Sequence, residues 1–214
     1  MPLSVSTTDL PSMRLLAVRT IGVLVALLAT ALTLSACGPA TPKFKGSDVT
    51  GSAFGRDFAL VDVDGKPRTL ADYRGKAVVL FFGYTQCPDV CPTTLSTLAE
   101  AMKQLGPDAD RVQALFVTVD PERDTAELLK EYVPAFDARF VGLRGDAAQI
   151  EAVAKEFRII FQKVPGRTPE TYTVDHSAGL FVFDPAGRLR VYEGHGQPPD
   201  VLAHDLRALL REGK

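Results

Sequence analysis

Two cysteines four positions apart, each followed by proline, stand in the stretch Gly83-Tyr-Thr-Gln-Cys87-Pro88-Asp-Val-Cys91-Pro92. The stretch comes straight after the apolar run Ala77 to Phe82. A pair so spaced can serve as a disulfide, as a dithiol that exchanges with other disulfides, or as two soft metal ligands. As an inert bridge it would close so short a loop that it would add little stability. Which chemistry applies depends on the compartment and on what else reaches the pair.

The third cysteine, Cys37, bears on the compartment. It ends Leu34-Ser35-Ala36-Cys37, behind a basic segment with Arg14 and Arg19 and an apolar stretch from Ile21 to Leu34. A basic start, an apolar core and small residues before a break mark an export signal. The core is shorter than the roughly 20 apolar residues that span a bilayer, which favours cleavage before Cys37 over an uncleaved helix. Leu-Ser-Ala-Cys also resembles the bacterial lipobox. That resemblance implies a diacylated Cys37 and a mature protein tethered by lipid to a membrane of the cell envelope, its domain facing the periplasm. An ordinary signal peptide that happens to contain a cysteine is the alternative. Met13, just before Arg14, is a second candidate start. With Cys37 lipidated, Cys87 and Cys91 are the thiols of the exported domain, in a compartment where a disulfide persists.

Residues 1–36 are thus expected to be a signal peptide of lipoprotein type. Residues 37–52, rich in Gly, Pro, Lys, Ser and Thr, are expected to be a flexible tether, and 53–214 the folded domain. With 46% hydrophobic residues the chain supports one core of ordinary size. Its formal net charge of −2 offers nothing to recruit nucleic acid.

The elements that must position the pair follow from pattern. Phe58 to Val63, Asp64-Gly65 and Arg68 to Leu70 predict a hairpin, since Asp-Gly suits a tight turn. Ala77 to Tyr84 is too uniformly apolar to have a wet face and predicts a central strand. A helix should begin near Pro92, with Leu95, Leu98, Met102 and Leu105 on one face, and stop at Gly106-Pro107. Val112–Val119 predicts a second buried strand, Thr125–Phe136 a helix, Phe140–Leu143 a short strand and Ala147–Phe157 a helix. Ile159–Val164 is followed by a Pro/Gly/Thr loop. Gly179–Phe183 and Leu189–Tyr192 predict a strand pair, and Val201–Leu210 a closing helix. This order predicts an α/β, thioredoxin-like fold: a mixed central sheet flanked by helices, with an N-terminal β-hairpin extension. In that architecture the cysteine pair sits at the carboxyl end of the first central strand. The loop Tyr172-Thr-Val-Asp-His176-Ser-Ala passes beside it.

Three features together, Cys87-Pro-Asp-Val-Cys91-Pro92, Val119-Asp-Pro-Glu-Arg-Asp-Thr125 and Tyr172-Thr-Val-Asp-His176-Ser, resemble the Sco/SenC family of copper-binding proteins that assist cytochrome c oxidase assembly. The resemblance covers about residues 50 to 212. It implies Cys87, Cys91 and His176 as ligands of copper, either Cu(I) or Cu(II). The chemistry agrees: two thiolates and an imidazole make a soft, three-coordinate set suited to Cu(I), while structural zinc would want a fourth protein ligand. A helix start beside the thiols is expected to lower their pKa. Asp175 is a candidate to orient His176. His195 and His204 are expected to face solvent, and Asp120 and Asp124 to serve as strand-end and helix-cap residues.

By the same resemblance the protein is a copper metallochaperone that supplies the dinuclear copper site in subunit II of cytochrome c oxidase. Other periplasmic copper chaperones or thiol reductants would be its further partners. The competing reading is an enzyme, a thiol-disulfide oxidoreductase that uses Cys87 and Cys91 as a redox-active pair, forming a disulfide, to reduce the copper-ligand cysteines of that subunit. Only the metal reading needs His176.

Overall fold

A computed structural model describes residues 43–168 and 171–212. The expected signal peptide and Cys37 lie outside the described residues. Strand β1 is Ser47–Asp48, β2 Leu60–Asp62 and β3 Pro67–Arg68. Strand β4, Ala77–Gly83, leads to helix α1, Val90–Leu105, and on to β5, Val112–Thr118. Helix α2, Ala126–Tyr132, strand β6, Val141–Arg144, and helix α3, Ala147–Phe157, follow. The chain then makes β7, Phe161–Val164, β8, Thr173–His176, β9, Leu180–Phe183, β10, Leu189–Glu193, and α4, Pro199–Glu212.

Eight strands form one sheet in the order β1-β10-β9-β4-β5-β6-β2-β3, while β7 and β8 make a separate two-stranded sheet. The pairs β4/β5 and β5/β6 are parallel and β4/β9 is antiparallel, so the sheet is mixed. All seven residues of β4 are buried. Alternation along the strand sends neighbouring side chains to opposite faces. Phe81 meets Phe116, its partner on β5, and Phe82 meets Phe157 of α3 and Phe181 of β9. Both faces are therefore covered, which is why no polar residue interrupts the run. The predicted hairpin forms, with Leu60 opposite Arg68, and joins the sheet by pairing β2 with β6.

Two expectations change. The described part of the tether, residues 43–52, is not free. Ser47 and Asp48 pair with Tyr192 and Val191 of β10, and the Lys45 and Gly46 amides donate to the buried Asp205 carboxylate at 2.9 and 2.8 Å. A polar, glycine-containing composition describes the side chains, whereas this segment is held through its backbone. The stretch Thr173 to His176, expected as loop, is strand β8, paired with β7 so that His176 lies opposite Phe161.

Candidate metal centre

Gly83, Tyr84 and the turn beyond them carry the chain from the buried end of β4 to the cysteines. Helix α1 begins at Val90, two residues before Pro92, so the proline occupies the first turn where no intrahelical donor is needed. Cys91 therefore points from the first helical turn back into the core, fully buried, while Cys87 is half-buried at the rim. The absence of a side chain at Gly83 makes room for this: a β-carbon there would lie 2.8 Å from the Cys91 sulfur and 2.9 Å from the Phe116 ring.

His176 arrives at the end of β8, 85 residues further along, with Nε2 3.3 Å from the Cys91 sulfur. Its Nδ1 lies 3.0 Å from the carbonyl oxygen of Ser177. A carbonyl only accepts, so Nδ1 carries the proton and the neutral ring turns the Nε2 lone pair toward the cysteines. Phe81 and Tyr84 set their rings edge-on to the imidazole. Burial lowers the His176 pKa and so favours that neutral, metal-binding form. The ligand atoms of Cys87, Cys91 and His176 all lie within 4.8 Å of one another, the one such group of three among the described residues. A recess of about 360 Å³ opens onto Cys87 and His176, lined also by Tyr84, Pro88 and Val90. The donor set, two sulfurs and one imidazole nitrogen, fits a soft monovalent metal, and among the described residues no fourth histidine, cysteine or carboxylate joins it.

The thiols differ from expectation. Both are free. The backbone amide of Cys91 donates to the Cys87 sulfur at 3.4 Å, as a helix start should. Yet burial pushes the Cys91 thiol well up, and the nearby Cys87 adds to the effect. Position at a helix start is legible in a sequence, but the cost of ionising a sulfur with no access to water is not. Metal binding would overcome it, since a coordinated thiol gives up its proton.

The remaining candidates fall outside the group of three. Asp175 is exposed, and the Ser177 carbonyl has the orienting place anticipated for it. His195 is exposed and meets the Thr94 hydroxyl at 3.2 Å, and His204 is exposed beside Asp205. Asp124 does not cap α2, a role filled by Thr125, whose hydroxyl accepts from the Leu128 amide. Asp124 instead accepts from the hydroxyls of Thr85 and Thr118, both at 2.6 Å, tying the start of the cysteine loop to β5. Asp120 is likewise more than a strand end: it accepts from Arg123 at 2.5 Å and from the Tyr172 hydroxyl at 2.7 Å. Nothing in the residue types of Arg123 and Tyr172 marks them as site residues, although both lie within the segments that carry the family resemblance.

The sequence profile of the SCO1/SenC family matches residues 47–211. The mouse protein named "Protein SCO2 homolog, mitochondrial" is 36% identical over 153 residues, which cover 71% of this chain and 60% of that one. The chain thus spans about 60% of the length of that curated relative. Among solved structures, Bradyrhizobium japonicum ScoI with copper bound is 42% identical with a TM-score of 0.68, covering 74% of this chain and all of the other, 100%. Arabidopsis thaliana ScoI with copper bound is 34% identical with a TM-score of 0.70, covering 75% of this chain and 99% of the other. With the sheet order and the cysteine–histidine group in place, these matches show that the chain belongs to the SCO1/SenC family.

Proposed function

We propose that the protein is an extracytoplasmic copper metallochaperone of the cytochrome c oxidase assembly pathway, lipid-anchored through Cys37, that carries one copper ion as cargo on Cys87, Cys91 and His176. The observation that carries the reading is the convergence of these three ligand atoms within 4.8 Å, with an imidazole lone pair aimed at a buried sulfur. The copper-bound relatives support the metal, and the family resemblance supports the oxidase as the destination.

The geometry suits a carrier as well as a holder. Cys87 stands at the recess while Cys91 is sealed behind it, so an incoming thiolate or imidazole from subunit II would meet the metal on the Cys87 side. Ligands would then exchange one at a time, with the sealed Cys91 released last. Neutral His176 can bind the ion without first losing a proton at Nε2.

One observation favours a second reading. Cys87 is the accessible sulfur and accepts the Cys91 amide, so its thiolate is placed to attack a disulfide of the oxidase subunit. Cys87 would form a mixed disulfide and free one partner thiolate. Cys91, once deprotonated, would then displace the second, leaving a Cys87–Cys91 disulfide and a doubly reduced partner. In that exchange His176 serves only as a base for the Cys91 thiol, whose sulfur lies 3.3 Å from Nε2, and never as a metal ligand. Oxidase maturation in cells carrying only the His176→Ala protein separates the two. Loss of the oxidase copper site, restored by added copper, is the result expected of delivery by this chain. Normal maturation without added copper would transfer the essential task to the two cysteines alone.

A further inference from the structure

The two halves of the metal centre belong to parts of the fold that no β-ladder joins. Cys87 and Cys91 follow a strand of the eight-stranded sheet, whereas His176 ends a hairpin that forms its own small sheet. The apolar hold of that hairpin on the body rests on few side chains. Gln162 to Val164, Thr173 and Asp175 are exposed, Val174 is its one fully buried residue, and Phe161 and Tyr172 pack against the core only in part. A metal centre divided in this way needs something else to keep an imidazole in place against a sulfur.

The loop between β5 and α2 supplies it. The Arg123 guanidinium donates from Nε to Asp120 at 2.5 Å, and from Nη1 to the Gln86 side-chain oxygen at 3.1 Å and the Tyr172 carbonyl at 2.8 Å. It also stacks 3.6 Å from the centre of the Tyr172 ring and faces the Tyr84 ring at 5.7 Å. Tyr172 closes the circuit by donating its hydroxyl to Asp120. Gln86 immediately precedes Cys87, and Tyr172 enters the strand that ends in His176. One side chain thus bridges both ligand-bearing segments from a loop that belongs to neither. Its partner Asp120 is fully buried and Arg123 itself is 14% exposed, so the pair is little screened by solvent. The planar fork reaches acceptors in several directions at once, which a lysine ammonium on a single stem does not do.

We propose that Arg123 is a positioning residue of the copper centre: it locks the His176 hairpin onto the Cys87 loop and so determines how firmly the imidazole holds the ion. The proposal rests on the copper reading above. Without the lock the hairpin lifts, the imidazole leaves first, and the metal is left on two thiolates.

The test compares the full chain with its Arg123→Ala and Arg123→Lys forms, loaded anaerobically with Cu(I). Loss of a group that orients a metal ligand typically lowers affinity about 10-fold or more, and that is the expected fall in Arg123→Ala. X-ray absorption should lose the imidazole contribution while keeping both sulfurs. Amide hydrogen exchange should quicken in residues 173–176 and stay unchanged in β4. Arg123→Lys, with the charge but not the fork, should stay weakened. Wild-type affinity with the imidazole retained would overturn the proposal, and so would faster exchange spread through β4 and β5, which would mark Arg123 as a general stabiliser. If Arg123→Ala fails to fold, Gln86→Ala decides, since it removes only the hydrogen bond to the exposed side chain beside Cys87. A lowered affinity in a folded chain supports the lock, and unchanged affinity overturns it. A wild-type chain that takes up no copper would contradict the proposed function instead, so the two failures are distinguishable.

Discussion

The central sheet and the rim of the metal centre are held by different physics. In β4 a continuous apolar run is buried on both faces, with Ala114 to Val117 of β5 beside it, and its aromatic rings interlock with α3 and β9. At the rim, the segments bearing Cys87 and His176 are joined by charged and polar side chains of residues 120–124. The first arrangement is non-directional and tolerant of distance; the second depends on a few donors meeting a few acceptors at fixed geometry. A carrier has use for both, a rigid floor that presents the buried sulfur and a rim that can release its ligand.

Breaking the floor should have the largest effect. Phe82→Ala removes a fully buried ring packed on Phe157 and Phe181, and should cost about 3–5 kcal/mol in urea unfolding and take the metal centre with it. Gly83→Ala attacks the junction of floor and rim. The added methyl overlaps the Cys91 sulfur and Phe116, and should cost about 1–3 kcal/mol of stability while also displacing a ligand. At the rim, His176→Ala should leave the unfolding transition in place yet lower Cu(I) affinity by about 10-fold or more, equivalent to 1.4 kcal/mol, in an anaerobic competition titration.

The smallest effect concerns neither floor nor rim but the far end of β10. Glu193 is buried, and Asp205 lies beside it. Asp205 is itself engaged by the Lys45 and Gly46 amides and by His204. Burial first, and the Asp205 charge second, push the Glu193 pKa up to about 7. The folded state therefore binds more protons than the unfolded chain between the ordinary carboxyl range and about pH 7. Stability should fall as pH rises through that window and level off above it. Urea midpoints taken from pH 5 to 8 check the slope, and Glu193→Gln should flatten it.

The same division explains what could be read from the sequence. Strand β4, the stripe of α1 and the whole of Ala147–Phe157 announce themselves because burial imposes periodicity on side-chain type. The cysteine spacing and the place of His176 beside it were legible through fold order and motif resemblance together. Strand β8 was not, because its residues pair through backbone with β7 and Val174 is the one fully buried among them. Strand β1 was hidden for the same reason, two polar residues at a sheet edge. The duties of Asp120, Arg123 and Asp124 depend on which distant oxygens and amides the fold brings to them. The raised thiol of Cys91 depends on how completely the helix and β4 enclose it.

The central claim is that copper sits on both sulfurs and the imidazole. Anaerobic titration of the reduced full chain with Cu(I), followed by X-ray absorption at the copper edge, tests it most directly. The account predicts one tightly held ion per chain with two sulfur neighbours and one imidazole nitrogen, no uptake when Cys87 and Cys91 are oxidised to a disulfide, and loss of the nitrogen in His176→Ala. Copper surrounded only by oxygen or nitrogen donors, or bound equally well by the oxidised chain, would contradict it.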